Sequence, residues 1–122
     1  MKKRNGWFYV LTCLLISCSY HDDNTSISYK DKEDLYAMKA HFKQDRNKAV
    51  ENYLNEKIGN KNNISFSNLE SDADLTLNDG TKFYLKKYAG HVEIQMDKSE
   101  NSNQAYYALK EICRGMKEVV IK

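Results

Sequence analysis

Two glycine turn signals, Gly80 in the run Asn-Asp-Gly and Gly90 in the pair Ala-Gly, separate segments in which apolar and polar residues alternate. A period of two is typical of strands with one buried face. A three-residue loop with Gly80 in the left-handed conformation sets Leu75 opposite Phe83, whereas a two-residue turn mixes apolar and polar faces. The pattern therefore predicts an antiparallel meander with one buried side.

The register around Gly90 pairs apolar residues on one face of this meander and opposite charges on the other. It pairs Leu85 with Ile94 on the buried face and Lys86 with Glu93 on the other. A facing pair of opposite charges contributes only ~0.2–1 kcal/mol, so the agreement of both faces is the stronger argument. The residues expected to point away from the core, and to form a partner-binding face, are Lys82, Tyr84, Lys86, Tyr88, His91, Glu93 and Gln95.

The segments on either side of the meander predict further elements. Apolar residues at three- and four-residue steps predict a helix from Asp31 to a stop at Gly59, and a polar turn at 44–48 leaves open whether it is one helix or two. Ile64 and Phe66 alternate with serines and predict a short strand ahead of the meander. After residue 97, an apolar stripe again has helical spacing.

These elements define the expected fold class. We predict an α+β fold in which a helix, a four-stranded antiparallel sheet and a C-terminal helix follow one another, with the helices packed on one face of the sheet. The end of the last helix, residues 119–121, is left open between a frayed helical end and a short strand.

The N-terminal segment has a different character. A basic start, residues 2–4, precedes ten apolar or weakly polar residues, Trp7 to Ile16. This is half of the ~20 residues that a membrane-spanning helix needs, and it is typical of a secretory signal peptide. The four residues Leu15-Ile16-Ser17-Cys18 resemble the lipobox of bacterial lipoproteins.

The resemblance implies a role for each matching residue. Leu15 is the signal-peptidase recognition residue, Ser17 the small residue before the cut, and Cys18 the acylated new N-terminus. Two or three acyl chains make such an anchor effectively permanent. Ser19 departs from the aspartate that retains lipoproteins at the inner membrane, which favours the outer membrane, facing the periplasm. The expected organisation is a signal peptide over 1–17, a flexible tether over 18–30 and a single domain over 31–122.

The charge balance bears on possible partners. Removal of Lys2, Lys3 and Arg4 with the signal peptide leaves 16 basic and 17 acidic residues. A near-neutral chain lacks the basic footprint of a nucleic-acid-binding protein. We therefore expect a membrane and a protein as partners, and no nucleic acid.

The residues with catalytic or metal-binding potential are few. Cys113 lies on the apolar stripe of the last helix and is expected to be a buried small hydrophobe. The three histidines, His21, His41 and His91, have no metal-ligand spacing in the sequence. The acidic run at 70–74 lacks the glycine and the distal acid of a calcium loop. We expect no catalytic site, no metal and no cofactor, and hence no enzyme.

An anchored domain without a catalytic constellation favours a binding role. The interpretation from sequence is a small periplasmic protein-binding lipoprotein of the immunity, inhibitor or exclusion type. The alternative is an accessory, pilotin-like lipoprotein of a secretion or conjugation apparatus.

Overall fold

The computed structural model describes residues 20–21, 25–67 and 70–121. The strands in this part of the chain are β1 (Tyr20–His21), β2 (Ser26–Asp31), β3 (Leu35–His41), β4 (Ser71–Thr76), β5 (Lys82–Tyr88) and β6 (His91–Asp97). They form one antiparallel sheet in the order β1-β2-β3-β6-β5-β4. Because β1 has only two residues, the sheet consists essentially of five strands.

Two helical segments cover one face of this sheet. The first, α1 (Asn47–Leu54), continues through a π-helical turn (Asn55–Gly59) and a last turn (Asn60–Asn62). The second is α2 (Asn103–Ile121). Buried residues of both helices and of the inward-facing strand positions form one hydrophobic core. The predicted α+β class and the C-terminal helix are therefore confirmed, and residues 119–121, which the sequence left open, are helical. The prediction of four strands is wrong, because β2 and β3 also belong to the sheet.

The prediction of a helix starting at Asp31 is wrong over its first part. Residues 35–41 form β3, and Tyr36, Met38 and Ala40 are buried while the residues between them are not. A 3₁₀ turn at Gln44–Arg46 then leads into α1, at the place where the apolar stripe has a polar gap. Every second side chain of this segment is buried, which is the pattern of a strand with one face on the core and not of a helix.

The predicted tether over 18–30 is also wrong where the structure describes it. Ser26–Asp31 is β2, and its Ile27 and Tyr29 side chains are buried in the core. The domain therefore begins before residue 31. Leu15, Ser17 and Cys18 lie outside the described residues.

The meander has the predicted register. Gly80 has a φ of 93°, and Leu75 lies opposite Phe83. Leu85 lies opposite Ile94. The pairing of Lys86 with Glu93 on the other face is also present.

The strand predicted at Ile64 and Phe66 is wrong. This segment is an irregular connection, although Phe66 is buried in the core. The Phe66 amide donates to Asn55 Oδ1 at 2.7 Å. Asn55, in the π-helical turn that follows α1, thus gives this amide the partner that a neighbouring strand would otherwise supply.

One ion pair crosses the core between sheet and helix. Lys87 lies on the helix-facing side of β5 and is only 6 % exposed, and its Nζ is 3.0 Å from Glu51 Oε2 of α1. A buried charge needs such a partner, because removing one member of a buried pair is strongly destabilising. This pair therefore ties α1 to β5, next to the edge strand β4.

A second polar cluster holds the end of β2 against α2. The Asp31 carboxylate accepts hydrogen bonds from Lys98 Nζ at 2.7 Å, Tyr106 Oη at 2.5 Å and Lys110 Nζ at 2.9 Å. Burial alone would raise the pKa of Asp31, but these three donors outweigh it and lower the pKa from 3.8 to about 2. The carboxylate is therefore stabilising in its charged form.

We expect Asp31→Asn to lower the free energy of unfolding at pH 7 by about 2 kcal/mol. The pKa of Asp31 is lower in the folded state, so its stabilisation is present above pH 4 and is lost as the pH falls towards 2. Urea denaturation from pH 7 downwards should show the wild type and the variant converging. Asp74→Asn, an exposed carboxylate on β4, is the control and should have little effect. An Asp31→Asn deficit that stays constant with pH would contradict this role.

Candidate functional site

Alternate residues of β2 to β6 point away from the helices and form a face that we call the open face. Burial along β3, β5 and β6 alternates accordingly, with the apolar residues on the helix side. Taken across the sheet from β2 through β3, β6 and β5 to β4, the open face consists of Ser26, Ser28, Lys30, Leu35, Ala37, Lys39, His41, His91, Glu93, Gln95, Asp97, Lys82, Tyr84, Lys86, Tyr88, Asp72, Asp74 and Thr76.

All seven residues predicted for a partner-binding face lie on the open face. Lys82, Tyr88 and Gln95 are exposed, and the neighbouring Tyr84, Lys86 and Glu93 are partly exposed. His91 differs from the expectation, because it is only 3 % exposed. The role of these residues in binding stays a prediction.

The sequence-based prediction does not include the part of the open face that β2 and β3 contribute. It places residues 28, 30, 37, 39 and 41 in a tether and a helix, and therefore not beside the meander. A signal was present in the run Ser-Ile-Ser-Tyr-Lys at 26–30, which alternates polar and apolar residues. A period of two over these residues is the pattern of a strand with one buried face.

A hollow lies at the centre of the open face. Its volume is about 260 Å³, and its open-face lining is Ser28, Lys30, Ala37, Lys39, Glu93 and Gln95. The hollow forms because the side chains of Ser28 and Ala37 are short and those of the surrounding residues are long. A hollow of this kind can accept a side chain from a partner. The surrounding residues include two lysines and a glutamate, so positive and negative charges are both available.

The two tyrosines of β5 are held differently. Tyr84 Oη donates to Asp72 Oδ1 at 2.6 Å, and this hydrogen bond raises the pKa of Tyr84 to about 12. Tyr88 is 41 % exposed at the end of the strand. Its ring stacks on His91 with 4.6 Å between ring centroids.

His91 is the centre of a cluster that the sequence spacing did not indicate. It lies directly opposite His41 across β3 and β6, and the two Nδ1 atoms are 3.2 Å apart. The other ring nitrogen of His91, Nε2, is 2.8 Å from Glu93 Oε2. Burial of the His41 ring, with His91 and Lys39 nearby, lowers the pKa of His41 below its ordinary value, against a smaller opposing effect of Glu93.

Cys113 has the environment of a core residue. It is fully buried on α2, and burial raises the pKa of its thiol to about 12. A thiol with this pKa is protonated at neutral pH and is a poor nucleophile. The expectation that Cys113 is a buried hydrophobe is confirmed.

The described residues contain neither a metal-binding group of three ligands nor a membrane-spanning helix. Within residues 20–21, 25–67 and 70–121, no group of three or more histidine, cysteine, aspartate or glutamate side chains is arranged to hold a metal ion. No helix in the same part of the chain has the length and apolar character needed to cross a membrane.

Comparison with known proteins does not assign the chain to a family. No protein-family model matches it, and neither the curated proteins nor the solved structures give a match. The candidate site is the open face with its hollow.

Proposed function

We propose that the protein is a lipid-anchored, protein-binding module of the bacterial envelope, of the immunity, inhibitor or exclusion type. The observation that carries the proposal is the open face with its central hollow. A sheet with one face buried under helices and the other bearing tyrosines, charges and a hollow offers a rigid surface to a partner.

The size of the open face is compatible with a small specific interface. Five strands about 4.8 Å apart, each of six or seven residues at about 3.4 Å per residue, span roughly 500 Å². A partner covering it would bury roughly 1,000 Å² in total, which is at the lower end for biological interfaces. We therefore expect the hollow and the tyrosines to contribute most of the affinity.

The side chains of the open face support recognition of a protein. Tyrosine provides a large contact area, loses little conformational entropy and keeps its hydroxyl in water. Lys82 and Lys86 flank Tyr84 on the same strand face, and Asp72 and Asp74 lie opposite on β4. A surface of mixed charge favours a partner with the complementary charge pattern. Such electrostatic complementarity increases the specificity and the association rate more than the affinity.

The second part of the proposal is the anchor at Cys18, on the outer membrane and facing the periplasm. It is supported by the resemblance of residues 15–18 to a lipobox. An acylated Cys18 would hold the domain at the membrane, and the partner would be met there.

Replacing Lys82, Tyr84, Lys86 and Tyr88 together by serine should abolish partner capture, because it removes the aromatic area and two charges of the open face. The measurement is affinity capture from envelope extracts of the source bacterium, with the melting temperature recorded in parallel. The melting temperature should change by a few degrees at most. Tyr107→Ser removes an exposed tyrosine on α2, away from the open face, and should leave capture intact.

A second variant tests the hollow alone. Ala37→Arg fills it without deleting any contact of the core, so it should also reduce capture. Undiminished capture by both open-face variants would contradict the proposal. Capture of secretion or conjugation components, in place of a toxin or enzyme domain, would favour the accessory, pilotin-like role.

Changing Cys18 to Ala should move the protein from the membrane fraction to the soluble fraction, because the acceptor of the acyl chains is lost. Cys13→Ala is the matched control, since Cys13 lies in the apolar segment before the cut, and it should stay in the membrane fraction. Quantitative immunoblotting of the fractions gives the result. Unchanged fractionation of Cys18→Ala would contradict an anchor at this residue.

A further inference from the structure

The contact between His41 and His91 offers two nitrogen ligands that face one another. Both residues lie at the same end of the central strand pair, and their Nδ1 atoms are 3.2 Å apart. Two nitrogens at this separation, each about 2.05 Å from one ion, subtend an angle of about 100° at it, which is near the tetrahedral value. The separation is therefore compatible with chelation of a single ion, which would take the place of the proton shared between the two nitrogens.

We propose that His41 and His91 bind one divalent transition-metal ion of the zinc class through their Nδ1 atoms. Imidazole nitrogen is a preferred ligand for zinc, copper and nickel and a poor one for calcium or magnesium. The site goes beyond the proposed protein-binding role and does not depend on it.

Glu93 gives His91 the arrangement that metal-binding histidines usually have. Its Oε2 is 2.8 Å from His91 Nε2. A carboxylate can only accept here, so it favours the tautomer in which Nε2 carries the proton and Nδ1 is free to bind an ion. The Tyr88 ring stacks on His91 at an interplanar angle of 15° and holds the imidazole plane in place. The His91 ring is thus oriented by Glu93 and Tyr88 before an ion binds.

His41 completes the site on the solvent side. It is exposed, so an ion can enter and water can fill the remaining coordination positions. The described residues do not supply a group of three ligands here, so the site is an open one with two protein ligands. Lys39 is a positive charge close to His41, and it will weaken the binding of a cation.

The third histidine of the chain is a natural control. His21 pairs with Ser26, and Ser26 pairs with His41, so His21 lies two strands away from His41 in the same cross-strand row. Two strand spacings amount to about 10 Å between the backbones. The proposal assigns the ion to the two histidines whose Nδ1 atoms are in contact, His41 and His91.

The first test is titration of the intact, tag-free protein in detergent with Zn²⁺ against a chromophoric chelator. The wild type should bind one Zn²⁺ per chain. His41→Ala should weaken binding at least tenfold, and its fold should be retained because His41 is exposed. Glu93→Gln should weaken binding roughly tenfold or more through the orientation of His91. His21→Ala should stay within threefold of the wild type.

The second test identifies the bound atoms by ¹⁵N NMR of the imidazole rings. Zn²⁺ should shift the Nδ1 resonances of His41 and His91, while Nε2 of His91 keeps its proton. Absence of a one-to-one complex would overturn the proposal. So would unchanged affinity in His41→Ala, an equal loss in His21→Ala, or coordination through Nε2 of His91.

Discussion

The antiparallel pairing of β3 with β6 is the constraint on which the rest of the molecule depends. These strands are joined over seven residue pairs, from Leu35 opposite Asp97 to His41 opposite His91. The pairing joins the N-terminal hairpin of β2 and β3 to the C-terminal meander. Without it, neither half could bury its apolar face fully, because both contribute to the single core beneath the helices. It also builds the open face, whose hollow lies across β2, β3 and β6.

The meander could be predicted from the sequence because its signals are local. Turn glycines, alternating residues and facing charges all lie within a stretch of about 25 residues, and only one register satisfies them. The N-terminal hairpin could not be predicted in the same way. Met38 and Phe42 are four residues apart, and a step of four fits one face of a helix and one face of a strand equally well. Only pairing with β6, distant in the sequence, decides between them.

The same long-range pairing explains which part of the candidate site could be predicted. The residues of β5 and β6 were placed on one face by their register. The hollow and the histidine cluster were not predicted, because four of the six open-face residues that line the hollow, and His41 of the cluster, come from β2 and β3. His41 and His91 are 50 residues apart, so no spacing rule for metal ligands applies to them. Chemistry that depends on a contact between distant strands is visible only once the strand order is known.

The most direct test of the strand order is the set of cross-strand NOEs of residues 35–41 in solution. A β3 strand between β6 and β2 predicts contacts from Ala37 to Gln95 and from Lys39 to Glu93, and contacts from Lys39 to Ser28 on its other side. This pattern would place β3 in the middle of the sheet, with the open face spread over both neighbours. Strong NOEs between successive amide protons, and from the Hα of one residue to the amide proton three residues later, would instead show a helix over 35–41. That result would contradict the strand order, the open face and the histidine pair together.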